Sequence, residues 1–360
     1  MKRITWLLRL ACLVAAAFIQ WQHPLDLTSA PLVMLAFGGG SMVGKGYIDP
    51  LLSNFAISYA PDGLIAADVM PIVPVIKQSG VYAIFEQADQ FRIPDTTRAP
   101  GDEAKIVRFR VGSGVYNCLP YALKSQIPIE DLANADGAFR TFLETGRIGT
   151  VMNQLMLDWE NRTAALFFKT GNVGSSTLCA SLWSTAGGGG SPFSDINTQI
   201  DNVQNATGIR PNTLIFGIQA WKDLRRHNEI INKTKSLGAY RVAAAGAAGM
   251  PSEMEVAELF EMDRVLVGRA YKNTAQELGA LNLIPVWSAH CWVGHIRTGD
   301  QLTGATFASA FRWQVPGVPA LQVERLPYRA TIKAEELEVG YYQDERVTAK
   351  PLGNLITGVH

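Results

Sequence analysis

The chain has 360 residues, 48% hydrophobic and 18% charged, enough to bury a sizeable core in one large domain or two to three ordinary ones and too apolar for bulk disorder. Its 32 Lys plus Arg balance 32 Asp plus Glu, so net charge supplies no strong non-specific pull on nucleic acid, although a local basic face stays open. Four widely spaced cysteines, Cys12, Cys118, Cys179 and Cys291, form no Cys-x-x-Cys pair; this speaks against a disulfide scaffold or a structural zinc site and for a reducing compartment.

The N-terminus pulls the other way. Lys2 and Arg3 precede Leu7-Leu8, and Leu10 to Ile19 is a continuous apolar run containing Ala15-Ala16-Ala17. This is the pattern of a secretory signal peptide, interrupted by Arg9. The run is shorter than the ~20 apolar residues of a membrane span. Two readings stand for residues 1–41: a signal-like leader, or an extension ahead of a true start at Met34 or Met42. Glycine-rich residues 38–46 and the tract Gly187 to Gly190 read as joints. Gly39-x-x-x-x-Gly44-Lys45 has phosphate-loop spacing, but Gly46 stands where a magnesium-holding Ser or Thr is needed, and Pro50 arrives where the helix should run. It reads as a linker.

From Asp49 to Ile76 an apolar stretch is punctuated by Pro50, Pro61, Pro71 and Pro74. It predicts an extended arm with one short helix near Leu51 to Ala60. Next come two strand-like runs, Val81 to Phe85 and Ile106 to Val111, around a turn-rich tip from Phe91 to Asp102. Alternation on both sides of such a tip predicts a long hairpin. A two-stranded hairpin is marginal alone in water, so an arm of this length needs a surface to lie on, and a neighbouring subunit supplies one. Phe91, Arg92, Arg98, Arg108, Phe109 and Arg110 are the candidate interface residues. Charges that merely deter edge pairing would explain the arginines but not Phe91, Ile93 and Phe109.

Ile148, Val151, Met152, Leu155, Trp159, Thr163, Leu166 and Phe167 recur at three- and four-residue steps, predicting a spine helix from Ile148 to Lys169, separated by Gly146 and Gly149 from a lead-in at Ala138 to Thr145. A second helix is predicted from Ser194, as its cap, to Gly208, then a buried strand Thr213 to Phe216 and a helix Gln219 to His227. Ser252 and Glu255 have capping-box spacing ahead of a helix that runs into the strand Val265 to Val267. Leu281 to Trp287, Thr306 to Trp313, Leu321 to Leu326 and Tyr328 to Val339 read as further strands. The fold class is α+β rather than alternating βαβ.

Catalytic patterns are weak. His290, Cys291 and His295 are the one His/Cys cluster, without an evident fourth ligand, in a segment that reads as a strand and its end. There is no Gly-x-Ser-x-Gly elbow, and neither Cys118 nor Cys179 has a motif around it. Glu130-Asp131 and Glu335-Glu336 are adjacent in sequence; on a strand such neighbours face opposite ways and make poor acid/base pairs. Lys222, Arg225, Arg226, Lys233 and Lys235 read as the solvated face of a helix whose Trp221 and Leu224 are buried. No catalytic residue, cofactor or metal is therefore expected.

Four segments in order resemble the major capsid proteins of tailed phages, the Hong Kong 97-like fold: Ala66 to Val75 followed by Ser79 to Tyr82; Asp95 to Gly101, leading to Tyr121 to Leu123 and Ile127-Pro128; Asn212 to Gly217 with Ala220 to His227; and Leu259 to Ala270, where a helix leads into a Val-Gly strand. The resemblance covers about residues 47 to 350 and rests on the order of the segments. It implies an N-terminal arm at 42–80, an extended hairpin loop at 81–116, a peripheral domain with the spine helix at 117–190, an axial domain at 191–299 and a β-rich return to the peripheral domain at 300–360. It favours the late start over the leader. The function it implies is a structural subunit self-assembling through hexamers and pentamers into an icosahedral shell around double-stranded DNA. Further implied partners are scaffolding, portal and decoration proteins, with assembly in the host cytoplasm and no membrane in the mature form. An encapsulin-like shell that packages proteins is the alternative, as is an exported binding protein or enzyme if the leader is genuine.

Overall fold

The computed structural model describes residues 47–360 apart from 60–62, 86–92, 94, 99, 105, 107–110, 185–189, 238–249, 277–278, 298–304 and 316–319. The leader, Cys12 and the Gly39 to Lys45 stretch lie outside the described residues.

Fifteen strands and eight α-helices are described. The strands are β1 (Tyr47–Ile48), β2 (Ile72–Val75), β3 (Ser79–Phe85), β4 (Val111–Asn117), β5 (Leu119–Pro128), β6 (Ser175–Leu178), β7 (Thr213–Gly217), β8 (Arg264–Gly268), β9 (Tyr271–Asn273), β10 (Leu283–Pro285), β11 (Cys291–Gly294), β12 (Ala308–Trp313), β13 (Gln322–Arg329), β14 (Ala334–Val347) and β15 (Gly353–Thr357). The helices are α1 (Pro50–Ser58), α2 (Ala66–Val69), α3 (Ile129–Asn134), α4 (Gly137–Phe167), α5 (Pro192–Thr207), α6 (Ile218–Arg226), α7 (Asn228–Leu237) and α8 (Glu253–Leu259).

One six-stranded sheet is organised by β14, whose 14 residues reach about 46 Å at ~3.3 Å per residue. Its first ten residues pair antiparallel with β5, and Ala334 to Gly340 also pair with β13. Gln343 to Val347 pair with β12, which takes β2 in parallel on its far side. The arm enters by pairing β1 with β13. Asp49 then caps α1, accepting from Leu51 N at 3.0 Å and Leu52 N at 3.2 Å, with Pro50 in the first turn where its missing N–H costs nothing. The arm holds a second helix, α2, where an extended run was expected. Leu52 and Ala56 pack against Ile148, Val151, Met152 and Leu155 of α4 and against Val323, Leu337 and Val339 of the sheet.

The spine helix is one element of 31 residues, about 46 Å long, so the expected break at Gly146 and Gly149 is absent. An interior glycine costs a helix about 1 kcal/mol but does not remove its hydrogen bonds, and the apolar stripe that follows outweighs it. All the expected stripe positions are buried except Leu166, which is half-buried. The far end of the helix enters a second core, where Phe167 meets Trp292 and Phe307 at ring-centroid distances of 5.0 and 4.9 Å.

A five-stranded sheet runs β6-β15-β11-β7-β8. Leu214, Phe216, Cys291 and Val293 face a core built with α5, α6 and α8, while Ile215, Trp292 and Leu355 face the spine-helix core. Burial on both faces is why Thr213 to Phe216 reads as a continuous apolar run without alternation. The last strand, β15, lies inside this sheet between β11 and β6, so the β-rich segment after residue 300 serves both sheets. The capping box of Ser252 and Glu255 forms as expected. Helix α5 ends at Gly208 with φ 68°, and its cap is Ser191 rather than Ser194, because Pro192 already takes the first helical position. The strand expected at Leu281 to Trp287 is only β10, paired with β9. The turn between the last two long strands falls at 330–333, where Lys333 adopts φ 46°.

Candidate assembly surface

The predicted hairpin forms. β3 and β4 pair antiparallel from Ser79↔Asn117 to Phe85↔Val111 and make a two-stranded sheet of their own. The second strand is described from Val111 to Asn117; Arg108, Phe109 and Arg110 lie outside the described residues, as do Phe91 and Arg92. Arg98 is described and exposed, and Ile93 and Ile106 on the same excursion are 94% and 83% exposed.

The strand Val-Gly-Ser-Gly-Val-Tyr-Asn escapes an alternation search because its inward positions include glycine. Gly114, and Gly80 on the other strand, sit under aromatic rings. A Cβ on Gly114 would fall 2.3 Å from the Tyr82 ring, and one on Gly80 would fall 2.6 Å from the Tyr116 hydroxyl. Each tyrosine is the register partner of the glycine it covers. Both rings then pack on Phe311 of β12, with centroids at 5.0 and 4.8 Å. Covering strand glycines with cross-strand aromatics restores the apolar contact that glycine lacks.

Polar contacts close the root. Cys118 N donates to Gln78 O at 2.9 Å, Gln78 Nε2 to Cys118 O at 3.2 Å, and Asn117 N to Asp344 Oδ2 at 2.7 Å. The Cys118 Sγ points at Phe311 O, 3.4 Å away; burial pushes this thiol up to about 11, which makes it a packing group rather than a nucleophile. The opposite face of the hairpin is uncovered. Val81 and Val115, register partners, are 67% and 65% exposed. The hairpin is thus fixed at its root, with Val81 and Val115 exposed on the other face.

The arm entrance is held by charge. Arg325 donates to Glu144 and to Glu335 at 3.0 Å each and lies 3.6 Å from Asp49, joining β13, the spine helix, β14 and the cap of α1. The Glu144 carboxylate beside it holds the guanidinium charged well above ordinary pH. Glu336 pairs with Arg329 and accepts from Gln126 at 3.2 Å, so both members of the Glu335-Glu336 pair have structural partners.

The remaining sequence candidates do not converge. Cys291 is fully buried in the α5/α6/α8 core, while His290 and His295 each lie within hydrogen-bonding distance of a backbone carbonyl, of Ala289 and Arg210 respectively. Among the described residues no group of three or more His, Cys, Asp or Glu is placed to hold a metal ion. Trp221 and Leu224 are buried as read. Arg225 donates to Pro251 O at 2.8 Å and lies 5.6 Å from the Trp221 ring centre, and Lys233 lies over Phe193 at 3.8 Å. Cys179 Sγ is placed between Ser181 O and Asp195.

Sequence reasoning missed Glu160, a fully buried carboxylate. The signal was present: it falls four residues after Met156 and three before Thr163, on the apolar stripe where a charge has no business without partners.

No protein-family model matches the chain. The major capsid protein of Pseudomonas phage JBD67 is 28% identical over 311 residues, covering 85% of this chain and 95% of that protein. A solved phage-related protein from Bordetella bronchiseptica RB50 superposes with a TM-score of 0.67 at 20% identity, covering 88% of this chain and 98% of that one. The capsid structure of Cyanophage P-SCSP1u gives 0.51 at 9% identity, covering 83% and 89%. The fold is the one that these phage structures share. The chain is a relative of phage major capsid proteins, with their fold and their function as the order of its motifs implied, and its place is the virion capsid.

Proposed function

We propose that the chain is the repeating subunit of an icosahedral shell around double-stranded DNA, built through hexamers and pentamers in the host cytoplasm with scaffolding, portal and decoration proteins as partners. Residues 42–80 act as the N-terminal arm and 81–116 as the extended loop. The peripheral domain is 117–190 with much of 300–360, and 191–299 forms the axial domain. In this reading Phe91, Arg92, Arg98, Arg108, Phe109 and Arg110 contact a neighbouring subunit, and the chain works by mutual contact without turnover.

The observation that carries the reading is the hairpin. Its root is packed on Phe311 while its outer valines face solvent in the single subunit. A structure that spends sequence on anchoring such an arm gains only if the free face is later covered. Electron microscopy of the purified protein, expressed with and without the neighbouring genes, should show shells or capsomers. A strictly monomeric product at high concentration in both cases refutes the proposal. Nucleic acid rather than protein cargo inside purified particles separates it from an encapsulin-like shell. Deleting Gln90 to Glu103 should leave a folded subunit that no longer closes shells; unchanged assembly would remove the role given to the arm.

A further inference from the structure

Glu160 lies on the spine helix and is 0% exposed. The contacts described for it come from N–H donors. Ile65 N reaches both carboxylate oxygens, at 3.1 and 3.0 Å, Ala66 N reaches Oε2 at 2.7 Å, and the indole Nε1 of Trp287 donates to Oε1. Burial pushes the carboxyl above its ordinary range, while the Trp287, Ile65 and Ala66 donors pull against that shift.

The partners come from two other parts of the fold. Ile65 stands at the cap position of α2 and has no side-chain oxygen with which to satisfy the first amides of that helix. Glu160 supplies the missing acceptor from another element. Trp287 belongs to the link between β10 and β11. Its indole lies on Gly268, where a Cβ would fall 2.1 Å from the ring, and edge-on to Phe168, with centroids 5.2 Å apart. One carboxylate therefore ties the second half of the N-terminal arm to the spine helix and to the five-stranded sheet.

We propose that Glu160 is a positioning residue, a buried latch that couples the Leu64–Val69 part of the arm to the Trp287 link through the spine helix. Loss of the latch releases that part of the arm as a unit while both sheets stay folded. The latch belongs to the single subunit and holds whether or not shells form. A buried carboxyl group whose described partners are all N–H donors is highly asymmetric. Gln in its place turns one acceptor into a donor that faces donors, leaving at least one amide and the indole N–H competing for a single oxygen.

The test is hydrogen–deuterium exchange of the full chain, read segment by segment. In Glu160→Gln the amides of residues 65–70 should exchange roughly 10- to 100-fold faster, with β14 and β15 unchanged. Trp287→Phe keeps a ring over Gly268 and alters no atom of the arm, so faster exchange at 65–70 in that variant measures the coupling itself. The double variant should exchange no faster in the arm than Glu160→Gln alone. Arm exchange equal to wild type in Trp287→Phe overturns the proposal, as does an increase in Glu160→Gln spread evenly over the chain. If Glu160→Gln fails to fold, Trp287→Phe still decides by the same criterion.

Discussion

The two faces of the hairpin should separate folding from assembly. Phe311 is 2% exposed and supports both Tyr82 and Tyr116. Phe311→Ala removes a buried ring and leaves a cavity under two aromatics, which costs about 4 kcal/mol of subunit stability. Val81 and Val115 are already 67% and 65% exposed, so Val81→Ser with Val115→Ser should change that stability by no more than about 0.5 kcal/mol. If a neighbour covers them in the shell, the two valines together contribute about 2–4 kcal/mol per contact. Losing that raises the concentration needed for assembly by roughly 30- to 1,000-fold. Urea denaturation of the dissociated subunit measures the first quantity, and sedimentation with electron microscopy over a concentration series measures the second. The reasoning is refuted if the outer-face variant assembles at the wild-type concentration, or if it loses as much folding stability as Phe311→Ala.

Other substitutions and conditions test the interior. Gly217→Ala places a Cβ 1.6 Å from the backbone oxygen of Ser288, where nothing flexible can yield, and should cost about 3 kcal/mol or more in a denaturant midpoint; Gly146→Ala, with nothing within 4 Å, should instead stabilise the spine helix by about 0.5–1 kcal/mol. Burial lowers the pKa of His290 and of His295, at the two ends of β11. The folded state then binds fewer protons than the unfolded one, so stability present above the ordinary value of 6.5 is lost as pH falls below it. Melting temperatures from pH 7 down to 5 should fall, and less steeply in His290→Gln with His295→Gln. The Cys118 thiol, held up to about 11 from 9.0, has the opposite sign. Its contribution is intact below pH 9 and is lost as pH rises through 11, and the native thiol should resist alkylation at pH 8 until the subunit is unfolded.

What the sequence made legible follows from periodicity. The spine-helix stripe, the capping box at Ser252 and the fully buried strand at Thr213 were visible because each repeats a local rule over neighbouring residues. The hairpin was visible as alternation, yet the described second strand continues to Asn117 beyond the expected run, because the inward positions of β4 include Gly112 and Gly114, the latter covered by Tyr82 across the ladder. The same limit hid Glu160. A charge on an apolar stripe announces that partners exist, but those partners are backbone amides 94 and 95 residues away and an indole 127 residues away. No local pattern encodes a distance of that kind. β15 was missed as a member of the five-stranded sheet for a related reason, since its ladder partners lie in β11 and β6, far back in the chain.

For a protein whose work is contact, the informative residues are apolar ones that the single subunit fails to bury. Exposed Val81 and Val115 would be unremarked singly, because most proteins expose some valines. Their weight comes from being register partners on the free face of a ribbon whose other face packs on Phe311 through Tyr82 and Tyr116. Edge ribbons that stay solvated are usually blunted by charge or proline. Here the described outer positions of β3 and β4 that flank the root include Ser79, Val81, Ser113, Val115 and Asn117, without a charge among them. An uncharged outer face centred on two exposed valines fits a surface that another subunit covers.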